Sequence, residues 1–163
     1  MRRYLPTLAV LGLLLASAPL RAEEGRVCKV LPQFVDHKGR ASLSPSLYER
    51  DAYQFYLRRH PQFCTGLRVM AQWKASGVDW QKLKLRAELR GLLTNSIQTI
   101  TLEQPVKKGG LAGNWAEFNI TGDQYKNFGE LVAWRVTLFE GDKSLGTLES
   151  FLWSGVATNS SSP

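Results

Sequence analysis

The sequence predicts a mainly β protein, folded as an antiparallel β-sandwich of about seven strands with one inserted helix at about residues 45–59. Three observations favour this fold class. Residues 131–153 form two apolar runs around a short turn at Gly141-Asp142, which is typical of a hairpin. Residues 82–90 alternate between apolar and charged side chains without interruption. Short apolar runs then recur between turn-forming residues, which is typical of a sandwich.

The period-two pattern defines the strands individually. Besides the hairpin, it predicts five strands, at residues 26–35, 66–75, 82–90, 97–106 and 115–120. In the first of these, Pro32 has no amide proton to donate, so we expect an edge strand or a bulge there. The first strand of the hairpin carries apolar residues on both faces. We therefore expect it to be central in its sheet or covered by a second layer.

One stretch has the periodicity of a helix. Ser44 can cap it, Pro45 suits the first helical position, and helix-forming residues follow to about Arg59. Its apolar stripe contains Leu47, Tyr48, Ala52, Phe55 and Tyr56. Aromatic residues at helical spacing are mostly core, so we expect the stripe to face the sandwich, with a contact surface as the alternative. Tyr53 lies off the stripe and is expected to be exposed.

The first 22 residues have the pattern of a secretory signal. Arg2 and Arg3 precede an uncharged apolar run at residues 8–18, and Ala22 offers a small residue for cleavage. The run is shorter than the ~20 residues of a spanning helix, although an uncleaved anchor remains the alternative. We therefore expect a periplasmic or secreted protein with no transmembrane segment after cleavage. The single sandwich domain would cover residues 23–154, and the small, polar residues 155–163 predict a disordered tail.

Composition narrows the class of partner. The 163 residues contain 44% hydrophobic and 21% charged residues, enough for one compact domain with a substantial core. The formal net charge is +7, but three of the arginines lie in the predicted signal, which leaves +4 for the remainder. That mild excess is well short of a dedicated nucleic-acid-binding protein.

The two cysteines, Cys28 and Cys64, allow one intramolecular pairing. An exported protein meets an oxidising compartment, so we expect them to form a disulfide, with two buried thiols as the alternative. Closing a loop of this size would stabilise the fold by about 3–4 kcal/mol on the chain-entropy account. Their wide spacing does not match a CxxC or zinc pattern.

The corner at Gly122-Asp123-Gln124-Tyr125, ahead of the strand that contains Trp134, resembles the approach to the sixth strand of immunoglobulin-like and fibronectin type III domains. A buried tryptophan near the middle of the sandwich is also familiar there. The resemblance covers most of residues 26–153 and implies an immunoglobulin-like fold, which hosts many functions. The inserted helix is a departure from that family. So is the placement of Cys28, which would pair with a residue just after the helix.

No catalytic constellation is visible. His37 follows Asp36 in a predicted turn and His60 precedes a proline, and neither has a partnered nucleophile nearby. No metal-ligand ladder and no phosphate-binding glycine loop ahead of a helix is present. We therefore predict a non-enzymatic protein with no metal and no cofactor, with an enzyme of unrecognised type as the least favoured alternative. Asn119 begins a glycosylation sequon, which matters only in a eukaryotic secretory route.

Two surfaces could bind a partner. If residues 66–75 and 82–90 pair as a hairpin, one face would carry a basic band of Arg68, Lys74, Lys82, Lys84, Arg86 and Arg90. Such a band could bind a protein or an anionic envelope polymer, or could simply be the solvated face of the sheet. Trp80 and Trp115 lie at loop edges, where they could stack on sugars as in carbohydrate-binding modules or plug the ends of the sandwich.

Overall fold

The computed structural model describes residues 24–107, 109 and 113–155. Within them the chain is mainly β, with seven strands in two antiparallel sheets that pack together as a sandwich. The predicted fold class is confirmed at that level. The predicted signal at residues 1–22 lies outside the described residues, and so does the predicted tail beyond Gly155.

The predicted elements are found close to their expected bounds. The strands are β1 (Gly25–Asp36), β2 (Cys64–Ala75), β3 (Leu83–Leu93), β4 (Ser96–Pro105), β5 (Asn114–Thr121), β6 (Glu130–Glu140) and β7 (Lys143–Glu149). The helices are α1 (Leu47–Arg59) and α2 (Gly122–Phe128), and 3₁₀ turns at Pro61–Phe63 and Trp80–Lys82 precede β2 and β3. The predicted hairpin is β6–β7, and its turn residue Gly141 has a φ of 59°.

One sheet has the strand order β1-β2-β5 and the other has the order β4-β3-β6-β7. β1 is an edge strand, as Pro32 predicts, and β6 is central, as its two apolar faces predict. The predicted hairpin between residues 66–75 and 82–90 is wrong, because β2 and β3 belong to different sheets. Each already has a neighbour on both sides, β1 and β5 for β2 and β4 and β6 for β3.

The core lies between the inward rows of the two sheets. The row from β2 is Leu67, Val69, Ala71 and Trp73, and the row from β3 is Leu83, Leu85, Ala87 and Leu89. All eight side chains are at most 2% exposed. Burying one leucine in this way stabilises the fold by about 1.5–3 kcal/mol. The period-two pattern therefore predicts correctly which face of each strand is buried, although it does not predict which strands pair.

Glutamine side chains satisfy backbone groups at both open sides of the sandwich. At the edge of β1, the Gln54 amide accepts a hydrogen bond from the Phe34 N–H (2.8 Å) and donates to the carbonyls of Phe34 (2.9 Å) and Ala41 (2.7 Å). On the other side, Gln104 of β4 donates to the Glu117 carbonyl of β5 at 3.1 Å. Unpaired backbone groups on an edge strand invite pairing with another chain, and these contacts occupy the Phe34 N–H and carbonyl of β1 and the Glu117 carbonyl of β5.

The two cysteines lie far apart, and both are free thiols. Cys28 lies at a register shift in β1 between Val27 and Lys29, whereas Cys64 of β2 is opposite Asp36, at the other end of β1. The eight residue steps from position 28 to position 36 of the strand span about 26 Å at ~3.3 Å per step. A disulfide needs Cα atoms roughly 4.4–6.8 Å apart. The predicted disulfide is therefore wrong.

Helix α2 is absent from the sequence-based prediction, which places only a corner there. It connects the two sheets at one end of the sandwich and buries Phe128 against β3. The approach is close: a Cβ on Gly91 would lie 2.1 Å from the Phe128 carbonyl oxygen, and one on Gly129 would lie 2.2 Å from the Leu92 carbonyl oxygen. Gly129 also has a φ of 78°, which favours glycine.

Candidate interaction surface

The apolar stripe of α1 faces solvent. Tyr48 is 84% exposed, Phe55 is 58% exposed and Tyr56 is 42% exposed, whereas Leu57 is the one described residue of the helix that is fully buried. The prediction that the stripe packs on the sandwich is therefore wrong. The spacing identifies the stripe correctly but does not establish the direction that it faces.

Polar contacts on the opposite side of α1 explain this orientation. The Tyr53 hydroxyl donates to Asp36 Oδ2 at 2.7 Å, and Gln54 makes the edge contacts with Phe34 and Ala41. At 3.6 residues per turn, Tyr53, Gln54 and Leu57 share one side of the helix and the aromatic stripe occupies the other. Tyr53, predicted to be exposed, is half-buried as a result.

Asp36 is the anchor of this contact and is only 2% exposed. Its carboxylate accepts hydrogen bonds from the Lys38 and Arg40 N–H groups, from the Arg40 guanidinium and from the Tyr53 hydroxyl. Burial alone would raise the pKa of Asp36, but these donors together hold that pKa well below its usual range. The carboxylate is therefore ionised and fully hydrogen-bonded at neutral pH.

The ends of α1 extend the exposed surface. Its cap is Ser46, whose hydroxyl accepts from the Glu49 N–H at 3.5 Å, so the predicted cap at Ser44 is wrong by two residues. At the other end the Tyr56 ring stacks on His60, with centroids 4.3 Å apart, and lies 5.9 Å from the Phe63 ring. We call the exposed apolar residues here the aromatic face: Leu43, Leu47, Tyr48, Phe55, Tyr56 and Phe63.

Charged groups of both signs flank the aromatic face. The Arg59 guanidinium lies 4.6 Å from the centre of the Phe55 ring, a cation–π contact that stays open to solvent. Glu49 and Asp51 are exposed on the same helix. Tyrosine, phenylalanine and arginine are enriched where proteins contact each other, so this composition is typical of a protein interface.

A cavity of about 620 Å³ lies beside the aromatic face, between the C-terminal end of α1 and α2. Phe34, Leu57, Pro61 and the ring of Tyr125 contribute apolar surface to its walls, and Arg58, Lys126 and Glu130 bring charge to its lining. It is formed by three separate segments of the chain, at residue 34, residues 57–65 and residues 122–130, and no motif in the sequence indicates it. Small-molecule sites are typically clefts of about 300–1,000 Å³ with mostly apolar walls.

The interior polar groups of the cavity are neutral. Cys64 Sγ lies 3.3 Å from the Leu57 carbonyl oxygen, to which it donates. Burial raises the pKa of the Cys64 thiol, and a hydrogen bond with Tyr125 opposes that change in part. Burial, followed by the adjacent Cys64, raises the pKa of Tyr125 to about 12. Both groups therefore keep their protons at neutral pH, so Cys64 is a poor nucleophile there.

The structure divides the predicted basic band between two opposite outer faces. Arg68 and Lys74 lie on β2, whereas Lys84, Arg86 and Arg90 lie on β3 of the other sheet. Lys82 precedes β3 and pairs with Asp79 at 3.2 Å. Several of the other cations have carboxylate neighbours: Arg68 pairs with Glu117, while Lys84 and Arg86 share Glu103. The six residues therefore do not form one band.

Trp80 and Trp115 also lie on different surfaces. Trp80 is half-buried in the turn before β3, with its ring 5.8 Å from the core residue Trp73. Trp115 is half-buried on β5, opposite Gln72 and out of phase with the inward residues Ala116 and Phe118. Trp80 therefore has the position expected for a residue that plugs one end of the sandwich, whereas Trp115 lies on the outer side of β5.

Trp153 marks a surface that sequence reasoning missed. β7 ends at Glu149, and the turn that follows buries the Trp153 ring under the guanidinium groups of Arg90 and Arg135, 3.8 and 4.6 Å from its centre. Arg90 also donates to the Trp153 carbonyl at 2.8 Å. Arg90 is therefore part of the packing on the outer side of this sheet.

The two histidines, possible catalytic residues in the sequence, lie on different elements of the structure. His37 is exposed in the turn after β1, and His60 Nδ1 lies 2.8 Å from the Tyr56 carbonyl oxygen at the end of α1.

Within residues 24–107, 109 and 113–155, no group of three or more His, Cys, Asp or Glu side chains could hold a metal ion. Neither helix in this part of the chain is both long and apolar enough to cross a membrane. Asn119 is exposed on β5.

The fold and this surface define a class: an antiparallel β-sandwich with an edge helix that presents aromatic side chains to solvent. Comparison with known proteins adds no narrower assignment, since no family model, no curated protein and no solved structure matches the chain.

Proposed function

We propose that this protein is an exported, non-enzymatic interaction domain of the immunoglobulin-like class, which binds a protein partner through the aromatic face of α1. The orientation of α1 is the observation that carries this proposal. The helix is held by Tyr53, Gln54 and Leu57, so the aromatic side chains on its other side contribute little to the fold. Several exposed apolar side chains on one helix face, as found here, typically mark a contact site.

The strand order supports the immunoglobulin-like assignment. In the constant-type immunoglobulin order, the first, second and fifth strands share one sheet and the third, sixth and seventh share the other. The same two groups are found here, as β1-β2-β5 and β3-β6-β7. β4 differs, because it pairs with β3 in the second sheet and not with β5 in the first. The family relation is therefore proposed on topology alone.

The charges on α1 favour a protein over a lipid surface. A helix that lies on an anionic membrane carries mainly lysine and arginine on its polar side, whereas Glu49 and Asp51 are exposed beside the aromatic face. Among the described residues, Arg59 has no carboxylate within ion-pair distance. The partner that fits has an apolar surface with a carboxylate placed to reach Arg59. Buried aromatic and arginine anchors typically dominate the energy of such contacts.

Photo-crosslinking tests this proposal. A photoreactive phenylalanine analogue at position 55 should crosslink one protein in an extract of the native compartment, and the same analogue at Ser144, exposed on β7, should not. The double variant Tyr48→Ser/Phe55→Ser should lose at least roughly tenfold in affinity for that protein, as expected for hot-spot residues.

The matched control is Lys84→Ser/Arg86→Ser, which changes two residues on the outer face of the other sheet and should leave binding unchanged. Loss of binding in the control alone would favour the basic outer face. Heparin retention that disappears in modest salt would favour an anionic polymer. Quenching of tryptophan fluorescence by glycans would favour a carbohydrate-binding module. Any of these results in place of the expected one would refute the aromatic-face proposal.

A further inference from the structure

The cavity between α1 and α2 has the features of a second binding site, independent of the aromatic face. We propose that it binds a small amphiphile, with an apolar body inside the cavity and a carboxylate at its mouth. The argument rests on three features of the cavity: its apolar walls, the charges at its opening and the neutrality of its interior.

The walls suit an apolar body. The cavity has a volume of about 620 Å³, and Phe34, Leu57 and Pro61 contribute its apolar surface from β1, α1 and the 3₁₀ turn. Leu57 is among the lining residues and is itself only 1% exposed, so the fold holds its side chain in place on the other sides. Moving apolar surface from water into such a space is favourable by about 25 cal/mol per Å² of area buried.

The opening suits an anionic head group. Arg58 has no carboxylate within ion-pair distance among the described residues, and its guanidinium lies 6.0 Å from the centre of the Phe34 ring. Lys126 pairs with Asp123 at 3.2 Å, but both side chains are largely exposed, so that pair is weak and can exchange. Among the described residues of the lining, Glu130 is the one carboxylate. Two cations against one anion favour a carboxylate, which a guanidinium can bind through two hydrogen bonds.

The interior has no charge to compete with this arrangement. The uncharged polar side chains in the lining are Cys64, Thr65 and Tyr125. Cys64 and Tyr125 share a hydrogen bond, and Cys64 also donates to the Leu57 carbonyl. Thr65 donates to the Asp36 carbonyl. A charged group placed among them would lose its hydration without gaining an ionic partner. The ligand must therefore carry its charge at one end.

Calorimetry with three ten-carbon probes tests the head group. Decanoate should bind more tightly than decanol by about fivefold, the upper range for a partly exposed ion pair, and decyltrimethylammonium should bind most weakly. Equal binding of decanol, or tighter binding of the cation, would overturn the carboxylate assignment. Failure of all three probes to bind would overturn the site.

Alkylation of Cys64 reports where decanoate binds. In the full-length protein at pH 8.5, saturating decanoate should slow the reaction of Cys64 with N-ethylmaleimide severalfold, while Cys28, at the far end of β1, reacts at an unchanged rate. Equal rates at Cys64 with and without decanoate would place any binding outside the cavity.

Three variants separate this site from the aromatic face. Arg58→Gln should weaken decanoate binding about fivefold, as expected for a partly exposed ion pair, and leave decanol binding unchanged. Arg50→Gln, which alters an arginine of the same helix that pairs with Asp51, should change neither. The double variant Tyr48→Ser/Phe55→Ser should retain full decanoate binding. Loss in that variant would assign the ligand to the aromatic face and refute the cavity site.

Discussion

Strand β2 and helix α1 both carry a regular row of apolar side chains, but the row on β2 is buried and the row on α1 is exposed. The row of β2 is at most 2% exposed, whereas Tyr48, Phe55 and Tyr56 of α1 face solvent. The strand has a second apolar sheet opposite it. The helix lies along the edge of β1, where backbone groups and the Asp36 carboxylate need partners. Periodicity thus defines a face, and the neighbouring structure determines whether that face is buried.

The largest expected effect contrasts the two rows directly. Leu85→Ala removes a fully buried core side chain and should lower the free energy of unfolding by about 2–5 kcal/mol. Phe55→Ala truncates a side chain of the aromatic face and should change it by less than about 0.5 kcal/mol. Urea denaturation of the two variants at pH 7 measures both. A loss of several kcal/mol for Phe55→Ala would show that the aromatic face packs on the sandwich in solution.

The next contrast lies within α1 itself. Tyr53→Phe deletes the hydrogen bond to the buried Asp36 carboxylate and should lower the free energy of unfolding by about 1.5–3 kcal/mol, the range for bonds to charged groups. Tyr48→Phe removes the same hydroxyl from an exposed position and should be neutral within about 0.5 kcal/mol. Chemical denaturation with matched protein concentrations provides the comparison. Equal effects of the two variants would contradict the orientation of the helix.

Acid should weaken the anchored side of the helix selectively. Because the folded pKa of Asp36 is depressed, its stabilising contribution is complete above the unfolded pKa of roughly 3.9 and is lost as the pH falls below it. The urea midpoint should therefore fall between pH 5 and pH 2, and less steeply in Asp36→Asn.

The control for acid sensitivity is Asp123→Asn, which changes an exposed carboxylate and should keep the wild-type slope. If Asp36→Asn does not fold, NMR titration of the Asp36 carboxyl carbon in the wild-type protein gives the same answer. A normal carboxyl titration near pH 4 would rule out the hydrogen-bonded anchor.

The smallest effect is expected where charges face water on both sides. Arg86→Gln breaks an ion pair with Glu103, in which both side chains are more than one-third exposed. It should lower the free energy of unfolding by no more than about 1 kcal/mol, and by less at high salt. Thermal unfolding at two salt concentrations measures this. A larger loss would indicate that the outer face of the second sheet stabilises the fold as Asp36 does.

The sequence predicts local features of the fold well, because strand alternation, turn residues and a proline at an edge each act over a few residues. It does not predict contacts that depend on distant segments. The pairing of β2 with β5, and not with β3, depends on the whole sandwich, and the burial of Asp36 is needed to orient Tyr53. An oxidising compartment favours a disulfide, but the register of β1 against β2 places Cys28 and Cys64 too far apart to form one.

The candidate sites were accessible to sequence reasoning to different degrees. The helical spacing of the apolar residues predicts the stripe on α1 correctly, but the prediction that the stripe faces the sandwich is wrong. The cavity cannot be predicted from the sequence, because Phe34, Leu57, Cys64 and Tyr125 lie on four different elements and form no recognisable sequence pattern. The prediction of one basic band is wrong for the same reason as the predicted hairpin on which it depended, because β2 and β3 lie in different sheets.

The bonds between Gln54 and the backbone of Phe34 and Ala41 have a consequence for solubility. Fraying of α1 would uncover a strand edge while the two sheets stay intact, and such an edge can recruit a second chain into an intermolecular sheet. We therefore expect the resistance of this protein to aggregation to depend more on the local opening of this helix than on global unfolding of the sandwich.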